Sequence, residues 1–121
     1  MNILLVDDSK AMRMIVRRTL RQAGYGGETV SEAANGDEAL ELVQSTRPDL
    51  LLCDWNMPGM SGLDLLLKLK SSGFDAKFGF VTSECTEEMR AKAAQAGALF
   101  LISKPFTAEH FQEELDRVFQ S

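Results

Sequence analysis

The feature that most constrains this chain is an alternation. Segments of strand length, mostly apolar, take turns with segments of helical length, five times between residues 2 and 119. Residues 2–6 (NILLV) read as a buried strand, and a helix over 9–24 places Met12, Ile15, Val16, Leu20 and Ala23 on one stripe before Gly24 stops it. Residues 28–33 (ETVSEA) make a weaker strand, and 35–46 a turn and short helix with Asp37 and Glu38 at its positive end. The third strand is 49–53. The helix after it, from about Leu63 to Ser72, carries more leucines than one face requires, and Leu65 and Leu69 are assigned to the core. A fourth strand, 77–82, precedes an alanine-rich helix over 86–97 that Thr86 and Met89 open and Gly97 closes. A fifth strand spans 99–103, and a last helix over 107–119 turns Ala108, Phe111, Leu115, Val118 and Phe119 inward. Strand and helix pairs with such short connections predict an α/β fold. Its doubly wound, five-stranded parallel sheet has right-handed crossovers and is covered on both faces.

At 121 residues there is room for one domain and no second. MNILLV runs straight into two acids, too short for a signal segment or a membrane span, so a cytoplasmic protein without membrane insertion is expected. A net charge of -5 argues against nucleic acid as a partner. Cys53 and Cys85 lack companions at metal-ligand or redox spacing and read as reduced residues in or near the core, and His110 as a solvated helix residue. The loop after the first strand, VDDSKAM, is acidic and free of glycine, while GYGG at 24–27 is on the other edge; nucleotide binding is not expected.

In such sheets ligands sit outside the carboxyl ends of the strands. Those ends carry Asp7 and Asp8, then Asp54 at the close of PDLLLCD, then Thr82, then Lys104; the second strand offers Ala34 and Asn35. An isolated DDS is as readily a helix cap as a ligand pair. Joined by Asp54 it becomes a cluster of like charges, each close pair costing about 4 kcal/mol at an effective dielectric near 20, and such a cluster calls for a cation. Hard oxygen donors on a partly open rim suit Mg2+, with Mn2+ as the alternative. Carboxylate, hydroxyl and ammonium around such an ion suit phosphoryl transfer, with Asp54 attacking in line and Lys104 balancing charge. Asn56 stands where an aspartyl phosphatase commonly has its acid, so the acyl phosphate should outlast a catalytic cycle.

VDDS, EAANGDEAL, PDLLLCDWNMPGMSG, VTSE, AGA and KPF, in that order, resemble the receiver domain of response regulators, above all the single-domain chemotaxis type, over essentially the whole chain. The resemblance implies a (βα)5 flavodoxin-like fold with strand order 2-1-3-4-5. It implies a two-component or phosphorelay switch: Asp54 accepts phosphoryl from a sensor histidine kinase or a histidine phosphotransfer protein, and the product alters contacts with a downstream protein. It places Asp8, Asp54 and the Asn56 backbone carbonyl on Mg2+, with Asp7 acting through water. Thr82 and Lys104 contact phosphoryl oxygens, Asn56 and Glu84 tune the lifetime of the mark, and the Lys104–Pro105 bond is cis. Such a domain has no separate turnover substrate. Residues 1–121 would be this receiver alone, without an output domain.

The family's usual aromatic switch position holds Leu101, with Phe100 one place earlier. Three readings stand open: Leu101 itself changes rotamer, Phe100 substitutes after a register shift, or switching runs through the helix after Thr82, the reading favoured here. The first helix carries Lys10, Arg13, Arg17, Arg18 and Arg21 and no acid; it is a solvated face or, with Ala11 and Met14, a docking face for an acidic helical phosphodonor. The competing reading is a pseudo-receiver that binds partners without phosphorylation, disfavoured because no acid, Thr or Lys is missing. An aspartyl phosphatase is disfavoured by Asn56.

Overall fold

The computed structural model describes residues 1–119; Gln120 and Ser121, expected after the last helix, lie outside the described residues. The elements are β1 (Asn2–Val6), α1 (Lys10–Leu20), β2 (Thr29–Ala33), α2 (Gly36–Thr46), β3 (Leu50–Cys53), α3 (Gly62–Ser71), β4 (Lys77–Thr82), α4 (Glu87–Ala96), β5 (Phe100–Ser103) and α5 (Ala108–Phe119). The sheet is parallel throughout, in the order β2-β1-β3-β4-β5. This is the α/β flavodoxin-like arrangement.

Strand alternation divides the core in two. Leu4, Val6, Leu51, Cys53, Phe78, Phe80 and Leu101 face α2, α3 and α4, meeting Ala39, Val43, Leu65, Leu66, Leu69 and Ala93. Ile3, Leu5, Leu50, Leu52, Val81, Phe100 and Ile102 face α1 and α5, meeting Val16, Leu20, Phe111 and Leu115. Each fully buried leucine contributes roughly 1.5–3 kcal/mol, and Leu65 and Leu69 are indeed interior.

Side chains start the helices where the chain leaves the sheet. Ser9 Oγ accepts from Met12 N–H, Asn35 Oδ1 from Glu38 N–H and Thr86 Oγ1 from Met89 N–H, while Ser61 and Asp64 form a reciprocal capping box. The first cap is therefore Ser9, which leaves Asp7 and Asp8 for other uses. Beyond Leu20 the helix continues as a π-helical turn, Arg21–Tyr25, within which Gly24 adopts φ 95°.

Two expectations about the core need correction. Ile15, assigned to the buried stripe, is 37% exposed; Thr19 takes the interior place, its hydroxyl satisfied by donating to Ile15 O at 2.8 Å. In α5 only Phe111 and Leu115 are fully buried, with Ala108, Val118 and Phe119 packed partly against them. Among the described residues no helix is long and apolar enough to cross a membrane.

Candidate functional site

Backbone hydrogen bonds bring the polar strand ends to one edge. Asp7 N–H donates to Ala33 O at 3.1 Å, Asp54 N–H to Val6 O at 2.9 Å and Lys104 N–H to Thr82 O at 2.8 Å, so each loop leaves the sheet in register with its neighbour. One carboxylate oxygen from each of Asp7, Asp8 and Asp54 lies within 4.8 Å of the others. Lys104 Nζ reaches them from β5, 3.3 Å from Asp7 Oδ2 and 3.8 Å from Asp54 Oδ2. The Lys104–Pro105 peptide is cis, and Pro105 is exposed.

Burial is graded across the rim. Asp7 is buried, Asp54 half-buried and Asp8 exposed. Asp7 Oδ1 accepts from Ser9 N–H at 2.9 Å, leaving Oδ2 for Lys104. Burial pushes the Asp54 carboxyl above its ordinary range; Lys104 opposes this, Asp7 adds to it, and the N–H groups of Trp55 and Asn56 pull it back down. Burial, then Asp54 and Asp7, push the Cys53 thiol well up, and it donates to Asp54 O at 3.1 Å. Cys53 is thus an inert interior thiol, as the sequence suggested, and Cys85 is partly buried.

The donor set fits a hard divalent cation. The Lys104 ammonium meets two of the three clustered carboxylates, and oxygen donors at a half-open rim match the preference of Mg2+ for one or two carboxylates plus retained waters.

Thr82 stands at the end of β4, fully buried, and its hydroxyl accepts from Glu84 N–H at 3.4 Å. Asn56 and Glu84 are both exposed, in the loops after β3 and β4. Leu101, 6% exposed, packs on the α4 side with Ala93. Phe100 faces the other way, its ring seated over Gly79, where a Cβ would come within 2.1 Å of Phe100 Cε1. The strand pairing sets Gly79 against Phe100 and Phe80 against Leu101.

Two supporting residues escaped the sequence reading. Gly62 opens α3 directly beneath the acid loop: a Cβ there would lie 2.2 Å from Asp54 O and 2.9 Å from Phe80 Cε1. Its N–H donates to Trp55 O at 2.9 Å, closing the loop that carries Asp54. The glycine in GMSG was visible, but only the close approach reveals its purpose. The second is Arg13, whose Nη1 donates to Asp7 O at 2.6 Å; in the sequence it was one cation of a basic face.

A family profile described as "Response regulator receiver domain" matches residues 3–116. The chain belongs to this family. The receiver is 38% identical to "Chemotaxis protein CheY" of Pseudomonas aeruginosa, covering 99% of this chain and 97% of that protein. It is 39% identical to "Chemotaxis protein CheY-3" of Vibrio cholerae, covering 99% and 92%. The crystal structure of Vibrio cholerae CheY4 superposes with a TM-score of 0.86 at 32% identity over 98% of each chain. CheY-like receivers are signalling switches rather than enzymes with a substrate to turn over; this receiver is accordingly a phosphoryl-accepting switch, and the pseudo-receiver reading is not favoured.

Proposed function

We propose that Asp54 is the acceptor, taking a phosphoryl group from a phosphohistidine on a sensor kinase or phosphotransfer protein. An Asp54 oxygen attacks phosphorus in line as the bond breaks between phosphorus and the donor imidazole, protonated on its other ring nitrogen, leaving an acyl phosphate on Asp54 and a neutral imidazole on the donor. Lys104 Nζ, already 3.8 Å from Asp54 Oδ2, balances charge on the transferred group. Asp8, Asp54 and the backbone carbonyl of Asn56 would hold Mg2+, or Mn2+, with Asp7 reaching it through water. When bound, the ion supplies positive charge to the phosphoryl oxygens.

The Thr82 hydroxyl accepts from Glu84 N–H and keeps its O–H to donate to a phosphoryl oxygen; its turn toward that oxygen is the first movement of the switch. It pulls on the β4–α4 loop. Helix α4 is the element placed to respond: Ala93 is its one fully buried residue, so shifting it exposes little apolar area. Leu101, beneath Ala93, repacks rather than swinging an aromatic ring. Asn56 and Glu84 flank the entrance and control water access, and with it the lifetime of the mark.

The donor is proposed to dock on α1. Ala11, Met14 and Ile15 lie beside Lys10, Arg17, Arg18 and Arg21, and exposed Met14 and Ile15 make a larger apolar patch within a basic face than the sequence alone suggested. A cytoplasmic phosphodonor with an acidic, partly apolar helix suits it, and the message leaves through a downstream protein target rather than nucleic acid or membrane. The observation that carries this reading is the convergence of Lys104 with Asp7 and Asp54 at one edge. Incubation with acetyl phosphate and Mg2+ tests it: the intact protein gains one phosphoryl mass and loses it to hydroxylamine. A protein that never gains the mass is a pseudo-receiver, and one that releases phosphate continuously is a phosphatase.

A further inference from the structure

We infer that Arg13 is a positioning residue that locks the β1–α1 corner bearing Asp7 and Asp8 into the shape that receives a divalent cation; this rests on the cation-cradle reading above.

The corner needs a fastener. β2 ends at Ala33, whose carbonyl takes the Asp7 N–H, and past that point the strand offers the Asp7 carbonyl no ladder donor. Arg13 Nη1 supplies one at 2.6 Å. The same guanidinium is anchored at its other edge, where Nε donates to Glu32 Oε1 at 2.8 Å, and its side chain is only 13% exposed. Glu32 sits on β2 opposite Leu5, so Arg13 ties α1, β1 and β2 together one residue before Asp8. Arg17 Nη1 takes the remaining Glu32 oxygen at 2.7 Å but reaches only Val30 O beyond it, and does not touch Asp7. Asp7 is thus held at its N–H, its C=O and both carboxylate oxygens.

Charge and position predict opposite signs. A guanidinium beside the acids repels a divalent ion, so if Arg13 acted through charge alone, removing it would tighten Mg2+ binding. If it holds the corner, removing it weakens binding, as loss of a residue that orients metal ligands generally does.

The test uses the full chain with Mg2+ alone, followed by the fluorescence of Trp55, the single tryptophan, which adjoins Asp54. Arg13→Ala should raise the Mg2+ Kd by about 10-fold or more. Arg13→Lys, which keeps the charge but cannot fork between Asp7 O and Glu32, and Glu32→Gln should raise it in the same direction by less. Arg17→Ala, which loses an ion pair to the same Glu32, should stay within about twofold of wild type. Without metal, hydrogen exchange at the Asp8 and Ser9 amides should quicken in Arg13→Ala and not in Arg17→Ala. An unchanged or tighter Kd in Arg13→Ala, or equal weakening by Arg17→Ala, overturns the inference. Should Arg13→Ala not fold, Arg13→Lys against Arg17→Ala decides in the same way. A wild type that binds no Mg2+ overturns the cation cradle itself, an outcome distinct from a wild type that binds and an Arg13→Ala that binds equally well.

Discussion

Lys104 Nζ lies 3.3 Å from Asp7 Oδ2, nearer than the 3.8 Å that separates it from the corresponding oxygen of Asp54. Before phosphorylation the lysine is therefore shared, and its stronger partner is the buried acid. The arrangement keeps a cation beside Asp54 without fully neutralising it, so Asp54 retains a nucleophilic oxygen.

Replacing Lys104 by Met should separate its two effects. With one positive charge fewer, Mg2+ should bind at least as tightly as in wild type, while labelling by acetyl phosphate should slow by about tenfold or more, the consequence of losing roughly 1.4 kcal/mol of transition-state stabilisation. Parallel Mg2+ titration and labelling rates check this. Equal loss in both would assign Lys104 a purely structural role.

Asp54→Asn should stabilise the metal-free protein. The folded-state pKa of Asp54 is raised, chiefly by burial, so the folded protein holds this proton more tightly than the unfolded chain. The group's contribution is favourable at acid pH and declines as pH rises through the ordinary carboxylate range and then the folded pKa. At neutral pH the ionised carboxylate is a cost that Asn removes, so the melting midpoint should rise, by a few degrees for each kcal/mol gained. The gain should shrink on acidification. Saturating Mg2+ should reverse the order by stabilising the wild type selectively. Melting curves at several pH values, with and without Mg2+, measure all three.

Gly62→Ala should damage the site through the backbone. The added methyl has no room beside Asp54 O and Phe80, so the loop from Asp54 to Ser61 must move. Destabilisation on the order of 1–3 kcal/mol is expected, as for other overpacked interiors, together with weaker Mg2+ binding. Gly27→Ala, at a position with open space around its Cβ, is the control and should leave Mg2+ binding unchanged. Wild-type affinity in Gly62→Ala would show that the loop tolerates the shift.

Docking on α1 can be separated from chemistry at the rim. Met14→Glu combined with Arg18→Glu changes two exposed side chains, so labelling by acetyl phosphate should be unaffected. Transfer from a histidine-phosphorylated donor protein should slow severalfold or more, through weaker encounter. Arg17 is the poorer choice, because a glutamate there would face Glu32 and disturb the anchor of Arg13. Unchanged transfer would remove α1 from the docking surface.

The order of elements was legible because every strand except the weaker, mostly polar β2 is largely apolar and each helix a repeat of different period, and Leu65, Leu69, Phe111 and Leu115 were correctly assigned to the core. The strand order came from the resemblance, since local pattern does not say which strands pair. Ile15 was misplaced because hydropathy ranks it above Thr19, whereas a threonine that satisfies its hydroxyl within the helix costs little to bury. The acids and lysine were visible because unpaired charge at a strand end has few structural uses. Arg13 and Gly62 were not, because one acts through a main-chain carbonyl and the other through the absence of a side chain.

The measurement that bears most directly on Asp54 as acceptor is borohydride reduction of the protein after labelling with acetyl phosphate and Mg2+, followed by peptide mapping, since reduction converts an aspartyl phosphate to homoserine. Homoserine should appear at residue 54 and nowhere else, and should vanish when EDTA is present during labelling. Homoserine at Asp7 or Asp8, or labelling of residue 54 that persists in EDTA, would contradict the account.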